Sequence, residues 1–218
     1  MSGDMKEWIA ELFRDHDLTR MGHAQRVEDL NLGLGWLYYG LARVTRPACA
    51  VVIGSYRGFV PMMLGKALAD NGGNGQVHFI DPSYVDDFWK DAATVNAHFQ
   101  HHGLSNIQHY LMTTQEFVAS AAYRDLVSPG IVFIDGYHTE EQVRFDYESF
   151  RDRLTDEGVT LFHDSSYVKP SRMYGPDRIY TRTVRNFIDV LKQDPALQVF
   201  DLPFGDGVTL VRRASAPA

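Results

Sequence analysis

The feature that most constrains this chain is an alternation. Short apolar runs, several of them β-branched, recur along the sequence, and a stretch with helical patterning follows each one. The runs are residues 48–53, 77–80, 107–112, 131–134 and 159–162. Helices are expected over 59–70, 85–101 and 115–122. Two further helix faces are marked by Val143, Tyr147, Phe150 and Leu154, and by Val184, Phe187, Ile188 and Leu191. Continuous apolar runs of this length suit strands covered on both faces. Strands that alternate with helices imply a mostly parallel sheet between two helical layers. The last two runs, 198–202 and 207–212, are joined by a Pro/Gly turn too short for a parallel crossover. They form a hairpin and bring one antiparallel strand into the sheet. The expected fold is therefore a doubly wound α/β domain with a seven-stranded, mostly parallel sheet and an antiparallel last strand.

Residues 1–46 precede this alternation and read as a helical extension of the main unit, residues 47–218. Met5, Ile9, Leu12 and Phe13 make one amphipathic face. Leu30, Leu34, Leu37, Leu41 and Val44 make a second at helical spacing, and Pro47 ends it. No repeat, low-complexity tract or linker divides the remainder.

Composition narrows the class of partner. The formal net charge is −7, which argues against a nucleic-acid backbone as ligand. Cys49 is the single cysteine and lies in the first apolar run, where it reads as a core residue. The first residues carry acids and lack the apolar centre of a signal peptide. No apolar run approaches the roughly 20 residues that span a bilayer. A cytoplasmic protein with no membrane or nucleic-acid partner is expected.

In open α/β sheets ligands bind beyond the carboxyl ends of the strands. The first such end carries Gly54, Ser55, Tyr56, Arg57 and Gly58. Gly54 opens backbone angles closed to other residues, and Gly58 allows close approach at the helix start. The helix N-terminus supplies free N–H groups. Asp81 ends the next strand, where an acid can meet a ribose diol. Taken alone the glycines are a tight turn; with Asp81 they suggest an adenosine-type ligand. A dinucleotide site wants glycine where Tyr56 stands, because a pyrophosphate must touch the backbone there. Tyr56 counts against NAD and for S-adenosylmethionine (SAM), which has no pyrophosphate.

The fourth and fifth strand ends carry Asp135 with His138, and His163 with Asp164. Each alone is more readily a turn residue or a cap. Converging on one rim, Asp135, His163 and Asp164 become candidate ligands for one divalent cation. His138 precedes a helix that Thr139 and Gln142 would cap as a capping box. The positive end of that helix favours neutral imidazole. His138 is therefore the expected general base, beside Asp135.

At these residues the sequence resembles the small class I SAM-dependent methyltransferases related to catechol O-methyltransferase and to the macrocin-type sugar O-methyltransferases. The likeness runs from about Leu37 to Arg212 and rests on the Gly54–Gly58 turn, Asp81, Thr114 with Gln115, Asp135 with His138, and His163 with Asp164. It implies a Rossmann-like methyltransferase fold and SAM as cofactor. Residues Gly54, Ser55, Tyr56, Arg57 and Gly58 would surround the methionine part. Asp81 would hold the ribose, Thr114 and Gln115 would lie against the adenine, and Asp135 would line the same site. Asp135 and Asp164 match positions that bind Mg²⁺ in metal-dependent relatives, and His138 matches the proton-accepting position. The chain departs from the family twice. Val52 replaces the usual acid two residues before Gly54. His163 stands where a carboxylate is usual, which favours a first-row transition metal over Mg²⁺.

The resemblance implies methyl transfer to a hydroxyl of a small molecule: a phenol, a sugar or a polyketide. Residues 165–181 form a long tyrosine-bearing insertion, expected to wall the acceptor with Tyr167, Arg172 and Tyr174. The N-terminal helices are candidates for the opposite wall or for a homo-oligomer contact. The rival readings are a nicotinamide-dependent oxidoreductase and a non-catalytic SAM-binding protein.

Overall fold

The carboxyl ends of four neighbouring strands finish level with one another, and this places the candidate residues on a single rim. In the computed structural model, which describes residues 5–14, 18 and 22–214, β1 is Cys49–Ile53, β2 Gln76–Ile80, β3 Ile107–Tyr110, β4 Ile131–Ile134 and β5 Val159–His163. All five are parallel, with Ile53 paired to Ile80 and to Ile134, and Ile134 paired to Phe162. Two short strands follow, β6 Lys169–Ser171 and β7 Tyr180–Arg182. The last pair is β8 Leu197–Leu202 and β9 Val208–Arg213. β9 runs antiparallel to both β5 and β8, giving the order β3-β2-β1-β4-β5-β9-β8. This is the doubly wound, seven-stranded sheet expected from the alternation.

Successive side chains of a strand point to opposite faces, so each central strand feeds two cores. Ala50, Val52, Phe133 and Leu161 face one side. There they meet helices α1 (Met5–Leu12), α2 (Gly35–Thr45), α3 (Phe59–Asp70) and α4 (Ala92–His101). Val51, Ile53, Val132, Ile134 and Phe162 face the other side. Their partners are α5 (Thr114–Ala119), α7 (Glu140–Arg151) and α8 (Val184–Leu191), with α6 (Ala121–Arg124) alongside. The N-terminal segment adds Ile9, Leu12, Phe13, Leu32 and Tyr38 to the first core. Among the described residues no helix is long and apolar enough to cross a membrane.

Several local expectations need correction. The second N-terminal face starts later than its leucine spacing implied. Leu30 takes a positive φ of 54° in a turn closed by Arg26 and Asn31, the helix begins only at Gly35, and Val44 is exposed. The helix expected over 85–101 begins at Ala92, where the Asp91 carboxylate accepts from Thr94 N. Residues 81–91 instead form a loop held by polar side chains. Ser83 has φ 59°, and Asp86 accepts from Phe88 N and pairs with Arg57. The helix over 115–122 is broken at Ser120, where the backbone turns extended and the hydroxyl accepts from Tyr123 N to cap α6. At Thr139 half of the expected capping box forms. Its hydroxyl accepts from Gln142 N, while the Gln142 side chain turns away to Asp146. The insertion over 165–181 is not an irregular loop throughout, because β6 and β7 pair as an antiparallel flap.

Candidate active site

Gly54 shapes the first junction. Its φ is 75°, and a Cβ built there would stand 2.4 Å from the Asp135 carbonyl oxygen. Only glycine lets the β1 and β4 ends lie this close. The turn then brings Ser55 N to Asp81 Oδ2 at 3.1 Å, and Ser83 N to Asp81 Oδ1 at 2.7 Å. Burial pushes the Asp81 carboxyl up to about 6, against those two backbone hydrogen bonds. An acid stored this way is poised to accept from a donor that enters the cleft.

At the other two strand ends a carboxylate gathers imidazoles. His163 Nδ1 donates to Asp135 Oδ1 at 2.8 Å, and His138 Nε2 donates to the same oxygen at 3.0 Å. His138 Nε2 also lies 3.4 Å from Asp164 Oδ2, and Arg182 of β7 pairs with Asp164. Burial alone would raise the Asp135 carboxyl. The His163 charge and the hydrogen bonds from both rings outweigh it and hold the group well below the usual carboxylate range. Burial alone would lower His163, but the Asp135 carboxylate, aided by Asp164, raises it to about 9. His23, from the turn ahead of α2, packs against His163 with centroids 4.3 Å apart and the rings tilted by 35°. It is fully enclosed and lowered to about 3, first by burial and then by the His163 charge. Among the described residues neither His163 Nε2 nor His23 Nε2 has a hydrogen-bond partner.

These junctions open on a cavity of about 660 Å³. Its volume falls in the range of small-molecule sites. Its walls include Gly54, Ser55, Tyr56, Asp81, Thr114, Gln115, Asp135, His163 and Asp164. The flap adds Arg172 and Tyr174, while Tyr167 is exposed and lies outside the lining. Tyr137 stacks on Tyr180 at 4.5 Å and packs with Tyr174, joining the β4 end to the flap.

With the geometry in place, the comparisons are decisive for the family. Residues 51–165 match the model of a methyltransferase domain, a span of more than half the chain. The chain belongs to this methyltransferase family. Solved structures share its fold. The SAH-bound methyltransferase PaMTH1 from Podospora anserina is 18% identical with a TM-score of 0.62, covering 96% of this chain and 86% of its own. The O-methyltransferase TomG from Streptomyces achromogenes, in complex with SAM, is 15% identical with a TM-score of 0.62, covering 99% and 92%. An O-methyltransferase from Bacillus cereus, in complex with SAH, is 13% identical with a TM-score of 0.64, covering 98% and 93%. No curated protein sequence matches.

The methyltransferase brings together most of the residues singled out from sequence, but not all of them face the cavity. Arg57 turns away to the 81–91 loop, where it pairs with Asp86 and lies over the rings of Tyr56 and Phe88. Gly58 is backed by Trp89 and Phe99, with φ 79°. Val52 is wholly buried in the first core, so an acid at that position has no polar surroundings. His138 is enclosed behind Asp135 and forms no part of the cavity wall; its Nδ1 lies 3.4 Å from the Tyr180 hydroxyl. Sequence reasoning passed over His23, Asp146 and Arg182, and read Gln142 only as a helix cap. Only Asp146 left a signal, as an acid on the core-facing side of its helix beside Val143, Tyr147 and Phe150, with Gln142 one turn earlier.

The donor set also bears on a metal. Ligand atoms of Asp135, His138, His163 and Asp164 all lie within 4.8 Å of one another. Two carboxylates and two imidazoles fit a first-row transition ion better than Mg²⁺.

Proposed function

We propose that this methyltransferase transfers the methyl group of S-adenosylmethionine to a hydroxyl oxygen of a small-molecule acceptor, of phenol, sugar or polyketide type. The observation that carries this reading is one cavity in which a glycine turn and a half-buried acid, Asp81, face an imidazole–carboxylate pair, His163 and Asp135. Asp81 suits a ribose diol. Thr114 and Gln115 offer polar edges to a base. Tyr56 fills the place where a pyrophosphate would need bare backbone.

S-adenosylmethionine supplies the electrophilic methyl group and leaves as S-adenosylhomocysteine. His163 does the proton chemistry. Its Nδ1 is held by Asp135, which fixes the ring and stabilises the imidazolium, and its Nε2, buried and without a hydrogen-bond partner among the described residues, takes up the acceptor's hydroxyl proton. His138 acts from behind, keeping Asp135 in place with a second hydrogen bond. Tyr174 and Arg172 close the acceptor side, so much of the rate comes from alignment of the two reactants. With a divalent ion bound, Asp135, His163 and Asp164 would be its ligands instead, and the ion, in place of His163, would lower the hydroxyl's pKa.

The test is incubation of purified protein with S-adenosylmethionine and a panel of phenols, sugars and polyketides, reading S-adenosylhomocysteine formed. Acceptor-dependent product supports the reading. Failure of calorimetry to detect uptake of either S-adenosyl compound would sink it.

A further inference from the structure

We propose that Asp146 acts as a positioning residue, setting through Gln142 the polarity of Gln115. The cavity then presents a hydrogen-bond acceptor to the nucleoside base and selects a 6-aminopurine over its 6-oxo counterpart. The inference rests on the S-adenosyl reading above and names how that site chooses its base.

The argument is one of hydrogen-bond direction. Asp146 is buried on α7; burial raises its carboxyl to about 6, and above that pH it is a carboxylate that can only accept. Gln142, one helical turn earlier, therefore turns its amide nitrogen to it: Nε2 donates to Asp146 Oδ1 at 2.8 Å. That leaves Gln142 Oε1 as the end facing Gln115, and Gln115 Nε2 donates to it at 2.9 Å. With its amino group committed, Gln115 keeps its carbonyl oxygen for the cavity. All three side chains lie in the cavity wall, beside Thr114.

Two glutamines alone satisfy each other in either orientation at similar energy. A terminal group that cannot donate removes one of the two. The relay thus faces an exocyclic amino group with an acceptor, and faces an exocyclic oxo group with a like dipole. A site built to pair a polar group rejects the analogue that leaves it unpaired.

The experiment is calorimetry of full-length protein with S-adenosylhomocysteine and with S-inosylhomocysteine, for the wild type, Asp146→Asn and Gln142→Ala. The wild type is expected to favour the adenosyl compound by at least about tenfold, as one misdirected hydrogen bond implies. Asparagine at 146 can point either way, and alanine at 142 releases Gln115. Both variants are expected to lose most of that preference, with a smaller fall in adenosyl affinity. Should Asp146→Asn fail to fold, the half-buried Gln142 still provides the test. A preference unchanged in the folded variants, or absent in the wild type, overturns the relay and leaves the cofactor assignment standing. Uptake of neither nucleoside by the wild type overturns both.

Discussion

His138 Nε2 stands 3.0 Å from Asp135 Oδ1 with its side chain only 2% exposed, so the ring supports the carboxylate from behind. His163 holds the same oxygen from the cavity side at 2.8 Å. The two histidines thus share one partner but not one exposure to substrate.

Their variants should separate. His163→Ala removes the proposed proton acceptor, and turnover should fall by about 10²–10⁴, the usual worth of a positioned acid–base group. His138→Ala removes one of two hydrogen bonds to Asp135. A smaller loss of about tenfold is expected, partly rescued by His138→Gln, which restores a donor. S-adenosylhomocysteine release under saturating substrate is the measurement. A larger loss at His138 than at His163, with cofactor binding intact, would return the base to His138.

Activity and stability should move in opposite directions with pH. In chelator-treated protein His163 must be neutral to accept a proton, so turnover rises as pH approaches about 9. The same shift stabilises the fold. A histidine raised from 6.5 to about 9 contributes fully below 6.5 and loses that contribution as pH climbs to 9. The loss is at most about 3 kcal/mol, from the size of the shift. Urea unfolding at pH 6 and pH 9 reads it. His163→Gln should flatten the difference, and an equal slope in that variant would remove His163 as its source.

Asp81 carries the reverse sign. Its carboxyl is raised from 3.8 to about 6 by burial, so the folded state holds a proton that the unfolded chain has released. The fold is penalised above pH 6 and relieved below 3.8, by roughly 2–3 kcal/mol. Asp81→Asn removes that penalty but turns an amide nitrogen onto Ser55 N or Ser83 N, so the two effects offset at pH 7.5 and what it should do is flatten the pH dependence of stability between about pH 4 and pH 7. It should also weaken S-adenosylhomocysteine by about tenfold or more, because one acceptor oxygen is lost. Unfolding across that pH range and calorimetry on one preparation decide it; an unchanged pH slope with unaltered binding contradicts the assignment.

The strand ends were legible because they depend on local signals. Continuous apolar runs stop at Gly54, Asp81, Asp135 and His163, and parallel pairing then sets those stops side by side. Elsewhere competing local chemistry overrides the apolar pattern. The leucine spacing through Leu30 and Leu34 mimics a helix, but Asn31 Oδ1 accepts from Gly33 N and closes a turn instead. Asp86 and Ser83 do the same to the helix expected from residue 85. The rest depends on distance in the chain. Nothing near residue 23 announces that its ring will pack against His163. Nothing near residue 182 announces that its guanidinium will meet Asp164. The antiparallel pairing of β6 with β7 likewise joins residues distant in the chain, Lys169 with Arg182 and Ser171 with Tyr180.

Gly54 and Gly72 have nearly the same backbone angle, with φ 75° and 74°, but different surroundings. A Cβ at Gly72 meets nothing within 4 Å, so Gly72→Ala pays only the left-handed conformation, about 1–2 kcal/mol. A Cβ at Gly54 would sit 2.4 Å from the Asp135 carbonyl and 2.6 Å from Gly136 Cα, both backbone. Gly54→Ala must therefore push the β1 and β4 ends apart, at a cost above that of Gly72→Ala and with loss of the cavity. Parallel urea titrations give the stability difference, and S-adenosylhomocysteine binding gives the functional one. Equal stabilities with binding retained at residue 54 would mean that the close crossing of the two strand ends is not what shapes the site.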